Sequence, residues 1–144
     1  MFFEAKKKGF IIDAVVHFAG LKSVQESIDK PLLYWRENLF GTLNLLEVMS
    51  DFLCNKIVFS SSATVYGNNH NVPIKETSEI KPVNTYGQTK AVIEKFLKDV
   101  QEELDSKFNI AVLRFFNPVG AHHSGLIGEL PLGTPNNIFP FLKL

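Results

Sequence analysis

A chain of 144 residues, 45% apolar and 21% charged, is long enough for one domain with a real core and ordinary in composition for a globular protein. Its 15 basic and 15 acidic side chains cancel, which removes the electrostatic case for nucleic acid or an anionic membrane as partner. The single Cys54 excludes an internal disulfide and fits a reducing, cytoplasmic compartment, and no apolar run approaches the roughly 18 residues of a membrane span.

Met1 to Lys8 reads as the end of a helix feeding a buried strand. The basic Lys6-Lys7-Lys8 before Gly9-Phe10-Ile11-Ile12 has a faint look of a leader, but Asp13 and His17 interrupt the apolar segment. Ile11 to Phe18 is short and rich in β-branched residues, the pattern of a parallel strand covered on both faces. It ends at Ala19-Gly20, where small side chains let a ligand approach the backbone; a plain strand-to-loop turn with an exposed lysine fits the same residues. Ser23 to Leu33, closed by Pro31, reads as a helical turn and then a loop.

Leu39, Leu43, Leu46, Met49 and Leu53 recur at helical spacing and predict an amphipathic helix from about Tyr34 to Phe52. Lys56 to Ser60 predicts a second strand. The polar stretch Ser60-Ser61-Ser62-Ala63-Thr64-Val65-Tyr66-Gly67 begins at its carboxyl end, where open α/β sheets bind ligands. Asn68 to Val83 is a polar loop with Pro73 and Pro82. The next helix carries Ile93, Phe96, Leu97, Val100 and Leu104 on one face and presents Tyr86 and Lys90 from its first turns. Ala111 to Phe116 predicts a third strand, after which Asn117-Pro118 turns the chain.

Tyr86 and Lys90 stand at i and i+4, so a cation one turn away can stabilise the phenolate and let Tyr86 act as a base near neutral pH. Ser62 or Thr64 supplies a hydroxyl to relay the proton. Gly120, Gly125 and Gly128 do not form a phosphate loop, because Pro131 and Pro135 follow instead of a helix. The adjacent His122-His123 lack the spacing and companions of a metal site, so no metal is expected.

Five blocks occur in one order: His17-Phe18-Ala19-Gly20-Leu21-Lys22, the serine-rich strand end, Tyr86 with Lys90, Arg114-Phe115-Phe116-Asn117-Pro118-Val119-Gly120-Ala121, and Pro135-Asn136-Asn137. Together they resemble the UDP-glucose (UDP-galactose) 4-epimerases of the extended short-chain dehydrogenase/reductase superfamily. The resemblance implies an α/β fold, part of a doubly wound parallel Rossmann-type sheet that lacks its first strands and most of the C-terminal substrate domain. It assigns residues 1–121 to the C-terminal half of an NAD-binding Rossmann domain and 122–144 to the start of the sugar-nucleotide-binding region.

For function, the resemblance implies C4 epimerisation of UDP-glucose and UDP-galactose through a 4-keto sugar, with NAD as cofactor and a homodimer for the complete enzyme. Tyr86, Lys90, Ser62 and Thr64 would be catalytic: Tyr86 takes the O4 proton, Lys90 holds the phenolate and the nicotinamide ribose, Ser62 hydrogen-bonds the reacting oxygen and Thr64 steadies it. Phe18, Ala19, Gly20, Lys22, Asn38, Ser60 and Phe116 would join Tyr86 and Lys90 around the cofactor. Asn38, in Asn38-Leu39-Phe40-Gly41, would bridge the central strands and organise Lys90 through water, a solvated helix asparagine being the alternative. Ser62, Ala63, Thr64, Tyr86, Phe115, Phe116, Asn117, Asn136, Asn137 and Ile138 would hold the substrate. Phe115 stands where many members carry tyrosine, so a hydroxyl contact is absent there.

Related 4,6-dehydratases usually carry Asp-Glu where this chain has Ala63-Thr64, and related decarboxylases a glutamate at the second position; neither residue here can do that proton transfer. Epimerase is therefore favoured over those enzymes; a non-catalytic module pairing through its two amphipathic helices stays open, although the presence of Ser62, Tyr86 and Lys90 argues against a diverged pseudoenzyme. The glycine-rich dinucleotide turn of such a fold has no match in the sequence. A fragment is therefore expected, with an open sheet edge, exposed apolar surface and poor cofactor binding on its own.

Overall fold

The structure, a computed structural model, describes residues 1–69, 72–103, 107–120 and 122–127. In chain order the elements are α1 (Phe2–Lys7), β1 (Val15–His17), α2 (Val24–Asp29), α3 (Pro31–Tyr34), a π-helical stretch (Trp35–Phe40), α4 (Gly41–Asp51), β2 (Lys56–Ser62), a 3-10 turn (Ala63–Tyr66), α5 (Thr85–Glu102) and β3 (Asn109–Phe115). The three strands form one parallel sheet in the order β1-β2-β3, the α/β, Rossmann-type arrangement read from the sequence. No helix of the described residues is long and apolar enough to cross a membrane.

Parallel register sorts the side chains. Val15, Val16 and His17 lie beside Ile57, Val58 and Phe59, and β2 continues against β3 from Lys56↔Asn109 to Ser62↔Phe115. Ile57, Phe59 and Ser61 point to the face on which α4 and α5 pack; the core there is Phe2, Leu46, Met49, Cys54, Ile57, Phe59, Ile93 and Leu97. Residues of the opposite set, Val16, Leu113 and Phe115, are 60%, 44% and 39% exposed. Strand β1 is thus covered on one face rather than both among the described residues. It is also shorter than Ile11–Phe18, because residues before Ala14 run past the start of β2 at Lys56.

Two helix expectations need correction. The loop reading of the residues around Pro31 fails: proline opens α3 at its first position, where its missing N–H is harmless and its fixed φ already suits a helix. The helical run therefore extends from Pro31 through the π-helical stretch to Asp51. Leu53 does not belong to its apolar face. It follows the helix end with φ 57° and is 86% exposed, and Cys54 enters the core instead.

Helices α2 and α5 begin on side-chain caps. Ser23 Oγ accepts the Glu26 amide at 3.2 Å to open α2, and Asn84 Oδ1 accepts the Gly87 amide at 2.8 Å to open α5. Gly67 ends the 3-10 turn at φ 58°, and a Cβ there would stand 2.0 Å from the Lys81 carbonyl oxygen, so only glycine lets the two backbones meet. Leu104 lies outside the described residues.

Candidate active site

The serine run is strand rather than loop: β2 extends to Ser62, and its period of two turns Ser61 toward the helices and Ser60 and Ser62 away. Ser62, in extended conformation, caps the 3-10 turn; its Oγ accepts the Thr64 amide at 3.2 Å and the Thr64 hydroxyl at 3.0 Å. With both lone pairs engaged, the Ser62 proton is left for Tyr86, with which it hydrogen-bonds. Thr64, Ser62 and Tyr86 therefore form one chain of hydroxyls.

The base candidate is held from behind. As the second residue of α5, Tyr86 has an amide without a partner inside its own helix, and the fully buried Ser27 of α2 accepts it at 3.1 Å while donating to the Val24 carbonyl at 2.6 Å. The Tyr86 ring meets Tyr34 edge-on at 6.5 Å between centroids. Tyr34 is fixed in turn by the Ser23 amide at 2.9 Å and Glu26 at 3.2 Å.

The phenol is not depressed as expected. Burial pushes the Tyr86 pKa up, only partly offset by the Ser62 hydrogen bond. Lys90 sits 5.8 Å from the Tyr86 ring centre and 4.7 Å from that of Phe59, and its ammonium donates to the Ser60 carbonyl at 2.8 Å. Burial lowers Lys90 to about 8. Desolvation disfavours both charged forms, so at neutral pH a phenol rests beside an ammonium.

A stability signature follows. With a folded pKa of about 8 against an ordinary 10.5, Lys90 binds more proton in the unfolded chain between those values, so its contribution rises with pH across that window. Urea unfolding at pH 7 and pH 10 is expected to show the wild type gaining on Lys90→Met by more than 1 kcal/mol, ~1.4 kcal/mol corresponding to each pKa unit. A constant difference would contradict it.

Around Lys90 the loop after β1 is locked by Asn38. The Leu21 amide donates to Asn38 Oδ1 at 2.8 Å, while Asn38 Nδ2 donates to the Leu21 carbonyl at 3.1 Å and to Thr89 Oγ1 at 3.3 Å. Asn38 is buried in the π-helical stretch, a form that collects at functional sites. A Cβ on Gly20, at φ 151°, would lie 3.0 Å from Asn38 Oδ1 and 4.0 Å from the Lys90 nitrogen. Beneath it His17 bonds the Thr42 hydroxyl at 3.0 Å; Thr42 donates to the Asn38 carbonyl at 2.7 Å, so the histidine nitrogen carries the proton. Burial, then the charge of Lys90, lowers the His17 pKa.

Among the residues picked from sequence, Ser60, Ser62, Thr64, Tyr86 and Lys90 converge, with Ala63 opening the turn between them and Gly20 and Asn38 adjoining. Phe18, Ala19 and Lys22 are exposed on the ledge after β1, and Phe18 meets Phe115 at 5.8 Å between ring centroids. Phe116 and Asn117 follow β3 exposed, Phe116 lying 6.5 Å from the Tyr66 ring. Asn136, Asn137 and Ile138 lie outside the described residues. A groove of about 670 Å³ lies instead along the outer side of β3, lined by Arg114, Glu94, Tyr66 and Phe116, and does not reach Tyr86 or Lys90.

Sequence reasoning missed Ser27, Tyr34 and Glu94. Glu94, buried on α5, accepts the Ser61 hydroxyl and is gripped by Arg114, whose nitrogens stand at 3.1, 3.1 and 2.8 Å from its carboxylate. Arg114 also donates to the Tyr66 hydroxyl and the Glu76 carbonyl, each at 2.8 Å. The Glu94 carboxylate raises the already high guanidinium pKa. An acid between Ile93 and Leu97, four residues past Lys90, was the available signal.

Comparison with known proteins agrees with this geometry. Residues 4–130 match the model of the NAD dependent epimerase/dehydratase family. Over 131 residues the chain is 56% identical to UDP-glucose 4-epimerase 2 of Arabidopsis thaliana, covering 91% of this chain and 37% of that protein. The UDP-glucose 4-epimerase of Stenotrophomonas maltophila, solved with NAD and formylated UDP-arabinopyranose, superposes with a TM-score of 0.87 at 48% identity, over 97% of this chain and 41% of that one. The Bifidobacterium longum UDP-glucose 4-epimerase, solved with NAD+ and UDP, gives a TM-score of 0.87 and 48% identity over 97% and 42%. The chain thus spans well under half the length of these relatives, and over that span, by sequence and by fold, it belongs to the NAD dependent epimerase/dehydratase family.

Proposed function

We propose that this chain is the base-bearing part of an enzyme that interconverts UDP-glucose and UDP-galactose by inverting C4 through a 4-keto sugar. The observation that carries the reading is the Thr64, Ser62, Tyr86 hydroxyl chain beside the Lys90 ammonium at the carboxyl end of β2. Ala63 and Thr64 supply no acid for dehydration, which favours epimerisation. Residues 1–121 form the C-terminal half of the cofactor domain and 122–144 begin the sugar-nucleotide region; the complete enzyme is a cytoplasmic homodimer.

The residues present fit a nicotinamide cofactor. Gly20 puts bare backbone beside the Lys90 ammonium and Asn38, on an exposed ledge formed with Phe18, Ala19 and Lys22. Those residues, with Ser60, Tyr86, Lys90 and Phe116, would hold NAD, which when bound accepts and returns the C4 hydrogen as hydride. Tyr86 takes the O4 proton and gives it back. Ser62, its own lone pairs tied to Thr64, turns its one proton from Tyr86 to that oxygen once substrate is bound, and the positive charge of Lys90 favours the phenolate as it forms, against the desolvation that keeps the resting Tyr86 protonated. Asn117, Asn136, Asn137, Ile138 and Phe115 complete the substrate side.

The test is a chimera in which residues 4–130 replace the matching segment of the Arabidopsis enzyme. It is expected to convert UDP-galactose to UDP-glucose. A folded chimera that retains NAD yet converts nothing overturns the reading. The 144 residues alone, lacking a glycine-rich dinucleotide turn, are proposed to bind NAD weakly and to be inactive.

A further inference from the structure

Three side chains one turn apart on α5 face three consecutive residues of β2. Tyr86 bonds the Ser62 hydroxyl, Lys90 donates to the Ser60 carbonyl at 2.8 Å, and Glu94 accepts the Ser61 hydroxyl. The first two belong to the site already described. The third bonds Ser61, on the face that α5 covers, in a network no step of the reaction uses.

We propose that Glu94, acting through Ser61, is a positioning residue that sets where the strand end presents Ser62 to Tyr86, so that the working row on α5 is Tyr86, Lys90 and Glu94. The proposal rests on the reading of Tyr86 as the base. Ser61 and Ser62 are adjacent in a strand, so their side chains are fixed on opposite faces, and holding one fixes the height and twist at which the other emerges. Ser61 is also the register partner of Arg114, which puts both on the face that α5 covers. A single carboxylate therefore ties together neighbouring positions of β2 and β3. Through Arg114 the same network reaches the Tyr66 hydroxyl at the far end of the 3-10 turn that Ser62 caps. The turn carrying Thr64 is consequently fixed at both ends.

Stability alone gives a weak reason for this arrangement, because a buried ion pair is often replaceable by apolar side chains of similar volume without loss. What apolar side chains cannot supply is the directional bond to Ser61. Each of the three contacts from α5 specifies a different atom of a three-residue segment, which leaves the segment no freedom to slide along the helix.

The experiment labels the three tyrosines, Tyr34, Tyr66 and Tyr86, with carbon-13 at Cζ and follows them by NMR through a pH titration, Tyr86→Phe assigning the signal. Ser61→Ala removes the hydroxyl and leaves the Glu94–Arg114 pair in place. It is expected to displace the Tyr86 resonance and lower its ionisation constant roughly threefold to tenfold, the equivalent of a weakened hydrogen bond from Ser62, with Tyr34 unmoved. Ser61→Thr, which keeps the hydroxyl, is expected to restore the parental signal. Should the alanine variant not fold, Ser61→Cys keeps the volume, weakens the bond and displaces Tyr86 in the same direction. A Tyr86 signal that stays parental without the hydroxyl, or that threonine does not restore, overturns the positioning role. Because the readout needs neither substrate nor cofactor, that result leaves the epimerase reading standing, and an inactive chimera leaves this one standing.

Discussion

Replacing Tyr86 with phenylalanine in the active chimera is expected to lower kcat for UDP-galactose conversion by about 10²–10⁴-fold, the contribution of one positioned proton-transfer group, with KM little changed. The ring keeps its edge contact with Tyr34, and the amide that Ser27 accepts belongs to the backbone, so the start of α5 stays in place. Ser62 loses one partner and retains Thr64. The deficit should therefore lie in chemistry, checked by steady-state kinetics beside an unchanged circular dichroism spectrum. Undiminished kcat would remove the phenol from the reaction and with it the functional reading.

Replacing Arg114 with methionine is expected to destabilise the fold by about 3–5 kcal/mol, because it strands a carboxylate in a site built to pair it. Glu94 is 8% exposed and without the guanidinium loses all of its contacts to Arg114, keeping only the Ser61 hydroxyl. With total stabilities of about 5–15 kcal/mol, such a loss consumes much of the reserve. Urea unfolding of Arg114→Met, Glu94→Leu and the double variant measures it. The double variant is expected to be less damaged than Arg114→Met alone, since removing both charges leaves no carboxylate stranded and only the neutral Ser61 and Tyr66 hydroxyls short of a partner. A double variant as damaged as the sum of the singles would mean that the two residues act independently.

How much of this was legible in the sequence depended on the range of the interaction. Strand β2, helix α5 and the placement of Tyr86 and Lys90 follow from short apolar runs and helical spacing, which are local. The start at Pro31 was misread because proline was taken as a stop when it also suits the first position of a helix. The length of β1 depended on where β2 begins, 40 or so residues away, which no local pattern encodes. The five blocks led to the right family, yet the direction of the Tyr86 pKa was misjudged: spacing shows that a cation is near, whereas the burial that outweighs it is a property of the packed chain. Glu94 and Ser27 are ordinary residues in the sequence and acquire meaning only through Arg114, Ser61 and the Tyr86 amide.

The bond from Ser27 to the Tyr86 amide has a practical corollary. Amides in the opening turn of a helix normally trade hydrogen with solvent freely, since the helix gives them no acceptor. This one is occupied by a hydroxyl from a segment 59 residues earlier in the chain. Its deuterium uptake therefore records how often α2 lifts away from α5, making one peptide hydrogen a built-in gauge of whether the base is seated.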